Sequence, residues 1–251
     1  MNISLKDKTA LVTGGSRGIG KSISIALAEA GANVIFTYNS SFSDAKDTTT
    51  AISTYCKNVE AVKADISDET DILKMFKKFD ESNIDIDILV NNAGIILEKP
   101  TVETTSKEFD QLININLRGS FLTGREVLKR MMEKKLAGRV INISSDLGFL
   151  GRESFTIYSA SKGAINTMTK SWALEFAPHI LVNAIAPGPV DTDMLDLKNM
   201  SPEWRKKEEQ IPMQRIGNPE EIAGLAVFLA SNHASFVTGQ IYGVNGGSVM
   251  P

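Results

Sequence analysis

The chain has 251 residues, of which 42% are hydrophobic and 23% are charged. This composition is typical of a globular α/β protein with enough apolar residues for one large core. The net charge of -3 and the isoelectric point near 5.6 argue against a surface for nucleic acid or for an anionic membrane.

The chain has a single cysteine, Cys56, which excludes an intrachain disulfide and favours a reducing compartment. Residues 1–6 lack the apolar core of a signal peptide. No uninterrupted apolar run approaches the roughly 18 residues of a membrane span. We therefore expect a cytoplasmic protein without a membrane partner. The histidines, His179 and His233, have no metal-like spacing with carboxylates or with Cys56, so we expect no metal centre.

A glycine-rich segment follows the first predicted strand and reads GGSRGIG over residues 14–20. A strand, a glycine turn and a helix in this order can bind phosphate, because the helix N-terminus presents free backbone N–H groups. We expect Gly14 to make the tight exit from the strand, Gly18 to let a pyrophosphate approach, and Gly20 to let helix and strand pack closely. The three glycines favour dinucleotide binding over an ordinary turn between a strand and a helix.

The end of the second predicted strand determines which dinucleotide is preferred. Proteins that bind NAD usually place a carboxylate there, which binds the ribose 2′-OH. This chain instead has Tyr38, Asn39, Ser40 and Ser41. Arg17 and these polar groups could bind a 2′-phosphate. The sequence therefore favours NADP(H) over NAD(H), with a merely solvated Arg17 as the alternative.

Three later strand ends also carry candidate ligand-binding residues. Asp65 ends the third predicted strand, where it could contact the adenine amino group or cap the next helix. Asn92, Ala93 and Gly94 follow the fourth strand, and such small residues let a backbone approach a cofactor, although an ordinary turn is the alternative. The stiff turn at 187–192 follows the sixth strand and could present backbone groups to a nicotinamide amide.

Two polar side chains are candidates for contact with the substrate or for a place in the core. Ser145 lies beyond the fifth predicted strand, where its hydroxyl is placed to hydrogen-bond a substrate oxygen. Asn116 lies on an apolar predicted helix that runs through 112–131, and by itself such an asparagine is more often a satisfied core amide.

A tyrosine and a lysine lie four residues apart in the helix-prone region 155–176. This spacing places Tyr158 and Lys162 on one helix face. A phenol titrates near pH ~10, and a nearby ammonium lowers that pKa, so the pair indicates a general acid and base. A half-buried tyrosine ring beside a solvated lysine is the alternative.

Strands and helices alternate along the chain, with no repeat, low-complexity segment or interdomain linker. The pattern predicts an α/β fold with a single domain over 1–251, namely a Rossmann-type doubly wound parallel sheet of about seven strands flanked by helices. Residues 193–215 have a mixed pattern and are expected to form a substrate lid, or otherwise a helical hairpin on the surface. The predicted strands are 9–13, 33–37, 59–63, 86–90, 139–143, 180–185 and 240–244.

Together the motifs closely resemble those of the short-chain dehydrogenase/reductase family, in the expected order and over nearly the full length. The resemblance implies hydride transfer between a nicotinamide and a carbonyl or alcohol carbon. The motifs that carry it are TGGSRGIG at 13–20, NNAG at 91–94, Asn116, Ser145, YSASK at 158–162, PGPVDT at 187–192, RIGNPEEI at 215–222 and TGQ at 238–240.

The resemblance also implies residue roles and an assembly. The four catalytic residues of the family map to Asn116, Ser145, Tyr158 and Lys162. Tyr158 would protonate the developing alkoxide, Ser145 would hydrogen-bond the same oxygen, and Lys162 would lower the Tyr158 pKa and hold the nicotinamide ribose. Asn116 would position a water linked to Lys162, and the long helices at 112–131 and 155–176 would build a homotetramer. The implied cofactor-binding residues are Gly14, Ser16, Arg17, Gly18, Ile19, Gly20, Tyr38, Asn39, Ser40, Asp65, Ile66, Asn92, Ala93, Gly94, Tyr158, Lys162, Pro187, Gly188, Val190 and Thr192.

Within this family the chain is most similar to reductases of 3-oxoacyl carrier-protein thioesters, which act in fatty acid biosynthesis. It differs from them at 96–100, where an arginine- and methionine-containing loop is usual, and at Leu181, where an arginine is common. We expect NADP(H)-dependent reduction of a ketone, foremost a 3-oxoacyl thioester. One alternative is a family member that acts on a free small carbonyl, sugar or alcohol. Another is a dinucleotide-sensing regulator, which would need no proton donor such as Tyr158.

Overall fold

The computed structural model describes residues 3–56 and 58–251. A parallel sheet of seven strands has the order β3-β2-β1-β4-β5-β6-β7. All seven predicted strands are present, and the predicted fold class is confirmed. The strands are β1 (Thr9–Val12), β2 (Asn33–Tyr38), β3 (Val59–Lys63), β4 (Ile88–Asn91), β5 (Gly138–Ile143), β6 (Ile180–Pro187) and β7 (Ile241–Val244).

Helices cover both faces of this sheet, because successive strand side chains point to opposite faces. On β1, Ala10 and Val12 belong to one apolar cluster, with residues of α1, α2 and α8, while Leu11 belongs to a second cluster, with residues of α3, α5 and α6. Full burial of a side chain such as Leu11 stabilises the fold by about 1.5–3 kcal/mol. The helices are α1 (Gly18–Glu29), α2 (Phe42–Ile52), α3 (Glu69–Glu81), α4 (Ser106–Ile113), α5 (Ser120–Glu133), α6 (Thr156–Phe176), α7 (Pro202–Glu208) and α8 (Pro219–Ala230).

The strand order reverses between β1 and β4, which are hydrogen-bonded neighbours in the sheet. In an open parallel sheet, ligands bind in the crevice outside the carboxyl ends of the strands at such a switch point. The glycine segment follows β1, residues 92–94 follow β4, and Ser145 comes two residues after the end of β5. The topology therefore gathers the candidate residues at one edge of the sheet.

The helix predicted over 112–131 is not regular. It consists of the end of α4, a π-helical segment (Asn114–Gly119) and α5. A π-helical turn contains one more residue than an α-helical turn and often occurs at a functional site. The apolar pattern does not reveal it, because Leu112, Leu122 and Met131 are buried on either side of the segment. None of the helices in the described ranges is long and apolar enough to span a membrane.

Candidate active site

The carboxyl ends of β1 and β4 are fastened together by two polar side chains. The Thr13 hydroxyl oxygen accepts hydrogen bonds from the backbone N–H of Asn92, at 3.0 Å, and of Ala93, at 3.1 Å. The Asn92 side-chain amide donates in return to the carbonyl oxygens of Thr13, at 2.9 Å, and Gly14, at 3.1 Å. These bonds hold the base of the crevice in place. The NNAG motif therefore has a structural role in addition to the small residues that it places beside the predicted cofactor site.

The glycine turn has the geometry that a dinucleotide pyrophosphate requires. Gly14 has a φ of 62°, and a Cβ on Gly20 would lie 2.3 Å from the carbonyl oxygen of Gly14, so the turn and α1 must approach without side chains. The N-cap of α1, Arg17, gives no side-chain cap, which leaves the N–H groups of the first helical turn free for an anion. A Cβ on Gly18 would lie 3.3 Å from the Thr192 side chain, so these two residues form the facing walls of a narrow cleft. The residues present thus fit the phosphates of a dinucleotide.

The expected adenine contact of Asp65 is already occupied by protein groups. Its Oδ1 accepts from the backbone N–H of Ser67, at 2.9 Å, and from the Ser67 hydroxyl, at 2.7 Å. Its Oδ2 accepts from the Asn39 amide at 3.4 Å. Asp65 therefore orders the turn before α3 and joins it to the segment after β2, but it does not cap α3, whose N-cap is Asp68.

The remaining predicted cofactor residues line the same edge or support it. The Ser16 carbonyl oxygen accepts from the Thr48 hydroxyl at 2.8 Å, which docks α2 on the glycine turn. Ile66 lies against Gly119 in the π-helical segment, where a Cβ would come within 2.7 Å of the Ile66 carbonyl oxygen. Seven further predicted cofactor-binding residues at this edge are partly buried or exposed, namely Arg17, Ile19, Tyr38, Asn39 and Ser40 beside β1 and β2, and Gly188 and Thr192 beyond β6. The predicted residues Pro187 and Val190 are buried.

Tyr158 and Lys162 lie on one face of α6, as their spacing predicts. The Lys162 ammonium nitrogen is 5.7 Å from the centroid of the Tyr158 ring and donates to the carbonyl oxygen of Ile143 at 2.8 Å. Tyr158 is 9% exposed and Lys162 is 5% exposed. The alternative of a half-buried ring beside a solvated lysine is therefore wrong. The Gly94 position lies close by, since a Cβ there would be 3.7 Å from Lys162 Nζ.

The expected lowering of the Tyr158 pKa is wrong for this arrangement. Burial raises the pKa of Tyr158 to about 12, because the charged phenolate loses its hydration. A hydrogen bond with Ser145 lowers this pKa in part, and the negative charge of Asp146 raises it further. Burial also lowers the pKa of Lys162 to about 8. At neutral pH the phenol therefore carries its proton, as a general acid must.

The Ser145 hydroxyl has three polar neighbours, namely the Asp146 carboxylate, the Leu147 N–H and the Tyr158 phenol. The Ser145 hydroxyl donates to Oδ1 of Asp146 at 3.0 Å and accepts from the backbone N–H of Leu147 at 3.1 Å. It also lies within hydrogen-bonding reach of Tyr158. Asp146 was not among the predicted site residues, although its carboxylate directly follows Ser145 in the sequence.

Asn116 is buried in the π-helical segment, and its side-chain amide is fully engaged. Its Oδ1 accepts from the Ile95 N–H at 2.8 Å, and its Nδ2 donates to the Ile95 carbonyl at 2.9 Å and to the Ser161 hydroxyl at 3.3 Å. The side chain therefore fastens the loop after Gly94 to α6. This contact also explains why the polar group lies on an apolar helix.

An apolar wall and one ion pair lie next to Tyr158. Arg152, in the loop before α6, donates to Oε1 of Glu208 at 2.5 Å, and its guanidinium carbon lies 5.1 Å from the Phe155 ring and 5.0 Å from the Trp204 ring. Trp204 and Glu208 belong to α7, so these contacts join segment 193–215 to the active-site side of α6. The apolar wall contains Ile95, Leu97, Leu112, Ile113, Leu147, Phe155, Ile157, Tyr158 and Trp204.

In residues 3–56 and 58–251, no group of three or more His, Cys, Asp and Glu side chains could hold a metal ion.

Known proteins share this arrangement over the whole chain. A family model described as Enoyl-(Acyl carrier protein) reductase matches residues 14–248. A 3-oxoacyl-acyl-carrier-protein reductase, FabG, of Aquifex aeolicus (strain VF5) is 40% identical over 98% of this chain and 99% of its own. A 2-dehydro-3-deoxy-D-gluconate 5-dehydrogenase of Pseudoalteromonas atlantica is 40% identical over 97% of this chain and 96% of its own. The solved structure of a short-chain dehydrogenase/reductase from Serratia marcescens BCRC 10948 superposes with a TM-score of 0.90 at 34% identity, covering 97% of this chain and 98% of its own.

The fold and the site define the class of protein as a dinucleotide-binding oxidoreductase. More narrowly, the chain belongs to the short-chain dehydrogenase/reductase family. The resemblance carried by the motifs is thereby confirmed, and membership implies a nicotinamide dinucleotide cofactor. The names of the two relatives refer to different substrates. Membership of the family therefore indicates the type of reaction, hydride transfer, but does not identify the substrate.

Lys162→Met should stabilise the cofactor-free protein at pH 7 by about 1–3 kcal/mol, because burial lowers the pKa of Lys162 and each pKa unit corresponds to about 1.4 kcal/mol. The unfolded lysine keeps its proton up to a pKa of 10.5, whereas the folded lysine loses it near 8, so the penalty is complete below pH 8. The gain should therefore shrink as the pH rises from about 8 to 10.5, as measured by urea unfolding.

Lys170→Met is the matched control, because Lys170 is exposed on the same helix. Its effect should stay within about 0.5 kcal/mol at every pH. A Lys162→Met protein that is less stable than the wild type at pH 7 would contradict the cost assigned to the buried ammonium.

Proposed function

We propose that the protein is an NADP(H)-dependent ketone reductase whose substrate is a 3-oxoacyl thioester. The observation that carries the proposal is the buried, protonated phenol of Tyr158 beside Ser145 and Lys162, at the edge where the glycine turn lies. A dinucleotide sensor would have no use for a proton donor placed in this way. We therefore favour catalysis over sensing.

Each catalytic side chain has one task in this mechanism. The bound nicotinamide supplies or accepts the hydride. Tyr158 gives its proton to the oxygen of the reduced ketone, and Ser145 hydrogen-bonds that oxygen as negative charge develops on it. Lys162 holds its ammonium next to Gly94, where it can bind the nicotinamide ribose. Asn116 fixes the loop that carries Gly94, and the placement of the ketone against the cofactor provides much of the rate.

The apolar wall beside Tyr158 supports an acyl chain as the substrate. Leu97, Leu147 and Trp204 offer it dispersion and hydrophobic contacts but no hydrogen-bonding partners, which a polyhydroxylated sugar would need. We propose that residues 193–215 act as the substrate lid, with Trp204 against this wall and the Arg152–Glu208 pair as its fastening. The FabG relative bears the name of a reductase for this type of substrate.

A second candidate is reduction of a free small carbonyl or a sugar acid. The Arg152–Glu208 pair favours it, because a substrate carboxylate could replace Glu208 on the guanidinium. The Pseudoalteromonas relative bears the name of a sugar-acid dehydrogenase.

We also propose that the enzyme prefers NADP(H) and forms a homotetramer. Arg17 is exposed beside the glycine turn, and no salt bridge occupies it within the described residues. Two apolar side chains on the helices that the family relationship assigns to the interface are exposed, namely Phe121 at 45% and Leu174 at 88%. Their burial between subunits would remove this apolar surface from water.

Purified wild-type protein should oxidise NADPH with acetoacetyl thioesters, both free and carrier-linked, faster than with 2-dehydro sugar acids.

Tyr158→Phe should reduce kcat by about 10²–10⁴-fold, because it removes the proton donor but leaves the cofactor site intact. Tyr55→Phe, at an exposed tyrosine, is the control. Absence of turnover with every ketone, or an unchanged kcat in Tyr158→Phe, would refute the proposed reaction, and preference for sugar acids would establish the second candidate.

Arg17→Ala should weaken NADPH binding about 10–100-fold, since a charge-assisted hydrogen bond contributes about 1.5–3 kcal/mol. NADH binding should change little, because NADH lacks the 2′-phosphate. Fluorescence titration with each cofactor measures both dissociation constants. Lys74→Ala removes one positive charge from the exposed face of α3 and serves as the control. Equal losses for NADPH and NADH would contradict the assignment of Arg17 to the 2′-phosphate.

A further inference from the structure

Asp146 is a buried carboxylate next to the proposed catalytic groups, and the mechanism above gives it no role. It begins the short 3₁₀ turn (Asp146–Gly148) that follows β5, and it is 9% exposed. Its Oδ1 accepts from the Ser145 hydroxyl at 3.0 Å and from the Leu147 N–H at 2.8 Å. Its Oδ2 accepts from the Ser248 hydroxyl at 2.7 Å. Protein groups therefore occupy both oxygens, so Asp146 is built into the site and is not free to bind a substrate.

The first of these contacts controls the direction of the Ser145 hydroxyl. A serine hydroxyl has one hydrogen and two acceptor positions. When the hydrogen points to Asp146 and one lone pair accepts from the Leu147 N–H, one lone pair of Ser145 is left for the Tyr158 phenol. Ser145 must turn away from Asp146 before it can donate to a ketone oxygen. The carboxylate thus fixes the position of the Ser145 oxygen while the site is free of substrate.

The second contact reaches the C-terminal segment after β7. Ser248 is held there by its own N–H, which donates to the Asn245 carbonyl at 3.1 Å. The preceding Gly246 carbonyl accepts from the Met213 N–H at 3.1 Å, and a Cβ on Gly247 would lie 2.8 Å from Pro212. Asp146 is therefore connected through this segment to the end of the proposed lid.

The charge of Asp146 acts on the phenol from the turn after β5. The charged groups nearest to this site are Lys162, on the same helix as Tyr158, and the Arg152–Glu208 pair of the preceding loop and α7. Lys162 is bound to the Ile143 carbonyl, and Arg152 and Glu208 offset each other. Asp146 is the charge that raises the pKa of Tyr158 in addition to burial.

We propose that Asp146 is a positioning residue for the reaction, which holds the Ser145 hydroxyl and the C-terminal segment at Ser248 in place. This inference rests on the proposed roles of Ser145 and Tyr158. The charge of Asp146 also opposes ionisation of the Tyr158 phenol, so Asp146 helps to set the pH above which the proton needed for ketone reduction is lost.

Asp146→Asn separates the charge from the hydrogen bonds. The asparagine oxygen can accept from Ser145 and Leu147, and its amide can donate to the Ser248 oxygen. The rising limb of kcat/KM for alcohol oxidation should therefore move to lower pH by about one unit. The falling limb of ketone reduction at high pH should move with it, because both limbs report the ionisation of Tyr158. Ketone reduction at pH 7 should stay close to the wild-type rate. Asp110→Asn, at an exposed position of α4, is the control and should leave both profiles unchanged.

Two further variants test the hydrogen bonds. Asp146→Ala removes both the charge and the acceptor that holds the Ser145 oxygen in place. Its kcat for reduction at pH 7 should fall about 10–100-fold, and its pH profile should shift as in Asp146→Asn. Ser248→Ala keeps the charge and releases the C-terminal segment, so the pH profile should match the wild type while KM for the ketone rises several-fold. Ser248→Ala also provides the test if Asp146 variants do not fold.

An Asp146→Asn profile that superimposes on the wild type, or a wild-type KM in Ser248→Ala, would overturn the inference. Tyr158→Phe distinguishes this failure from that of the proposed function. If Tyr158→Phe is inactive while Asp146→Asn behaves as wild type, only the role of Asp146 is wrong. If Tyr158→Phe is active, the proposed reaction itself is wrong.

Discussion

The removal of water from Tyr158 and Lys162 is the constraint on which the rest of the site depends. Burial favours the neutral form of each group, so it raises the pKa of the phenol to about 12 and lowers that of the ammonium to about 8. The Lys162 ammonium donates a hydrogen bond to the Ile143 carbonyl, which provides no countercharge. The pair is therefore unfavourable for stability and useful for proton transfer, which is the usual compromise at a functional site. The hydrogen bonds between Asn116 and Ile95, and those between Thr13 and Asn92, hold the loops around the buried Tyr158 and Lys162 in place. These loops border the proposed binding sites of the cofactor and the ketone.

The fold was predictable because its determinants are local in the sequence. Short runs rich in β-branched and apolar residues, separated by helical patterns, define all seven strands and indicate a parallel sheet. The π-helical segment Asn114–Gly119 was not predictable in this way. It depends on tertiary contacts, namely the bonds of Asn116 to Ile95 and the approach of Gly119 to Ile66. An apolar periodicity cannot distinguish such a segment from regular helix.

The sequence predicted that the candidate residues lie at one edge of the sheet, but it did not predict their electrostatics. The spacing of Tyr158 and Lys162 gave their common face, but the direction of the Tyr158 pKa depends on how deeply the fold buries the ring. The Arg152–Glu208 pair joins residues that are far apart in the chain, and only the position of α7 brings them together. Asp146 is different, because it was visible beside Ser145. Its importance rests on Ser248, which approaches from the other end of the chain.

Carbon-13 NMR of protein labelled at the tyrosine Cζ atoms measures the ionisation of Tyr158 directly, with Tyr158→Phe used to assign its resonance. In the cofactor-free enzyme we expect this carbon to keep the chemical shift of a neutral phenol through about pH 10, where an unperturbed tyrosine is half ionised. A Tyr158 resonance that moves to the phenolate position below about pH 9 would contradict the claim that burial keeps the proton on the Tyr158 oxygen.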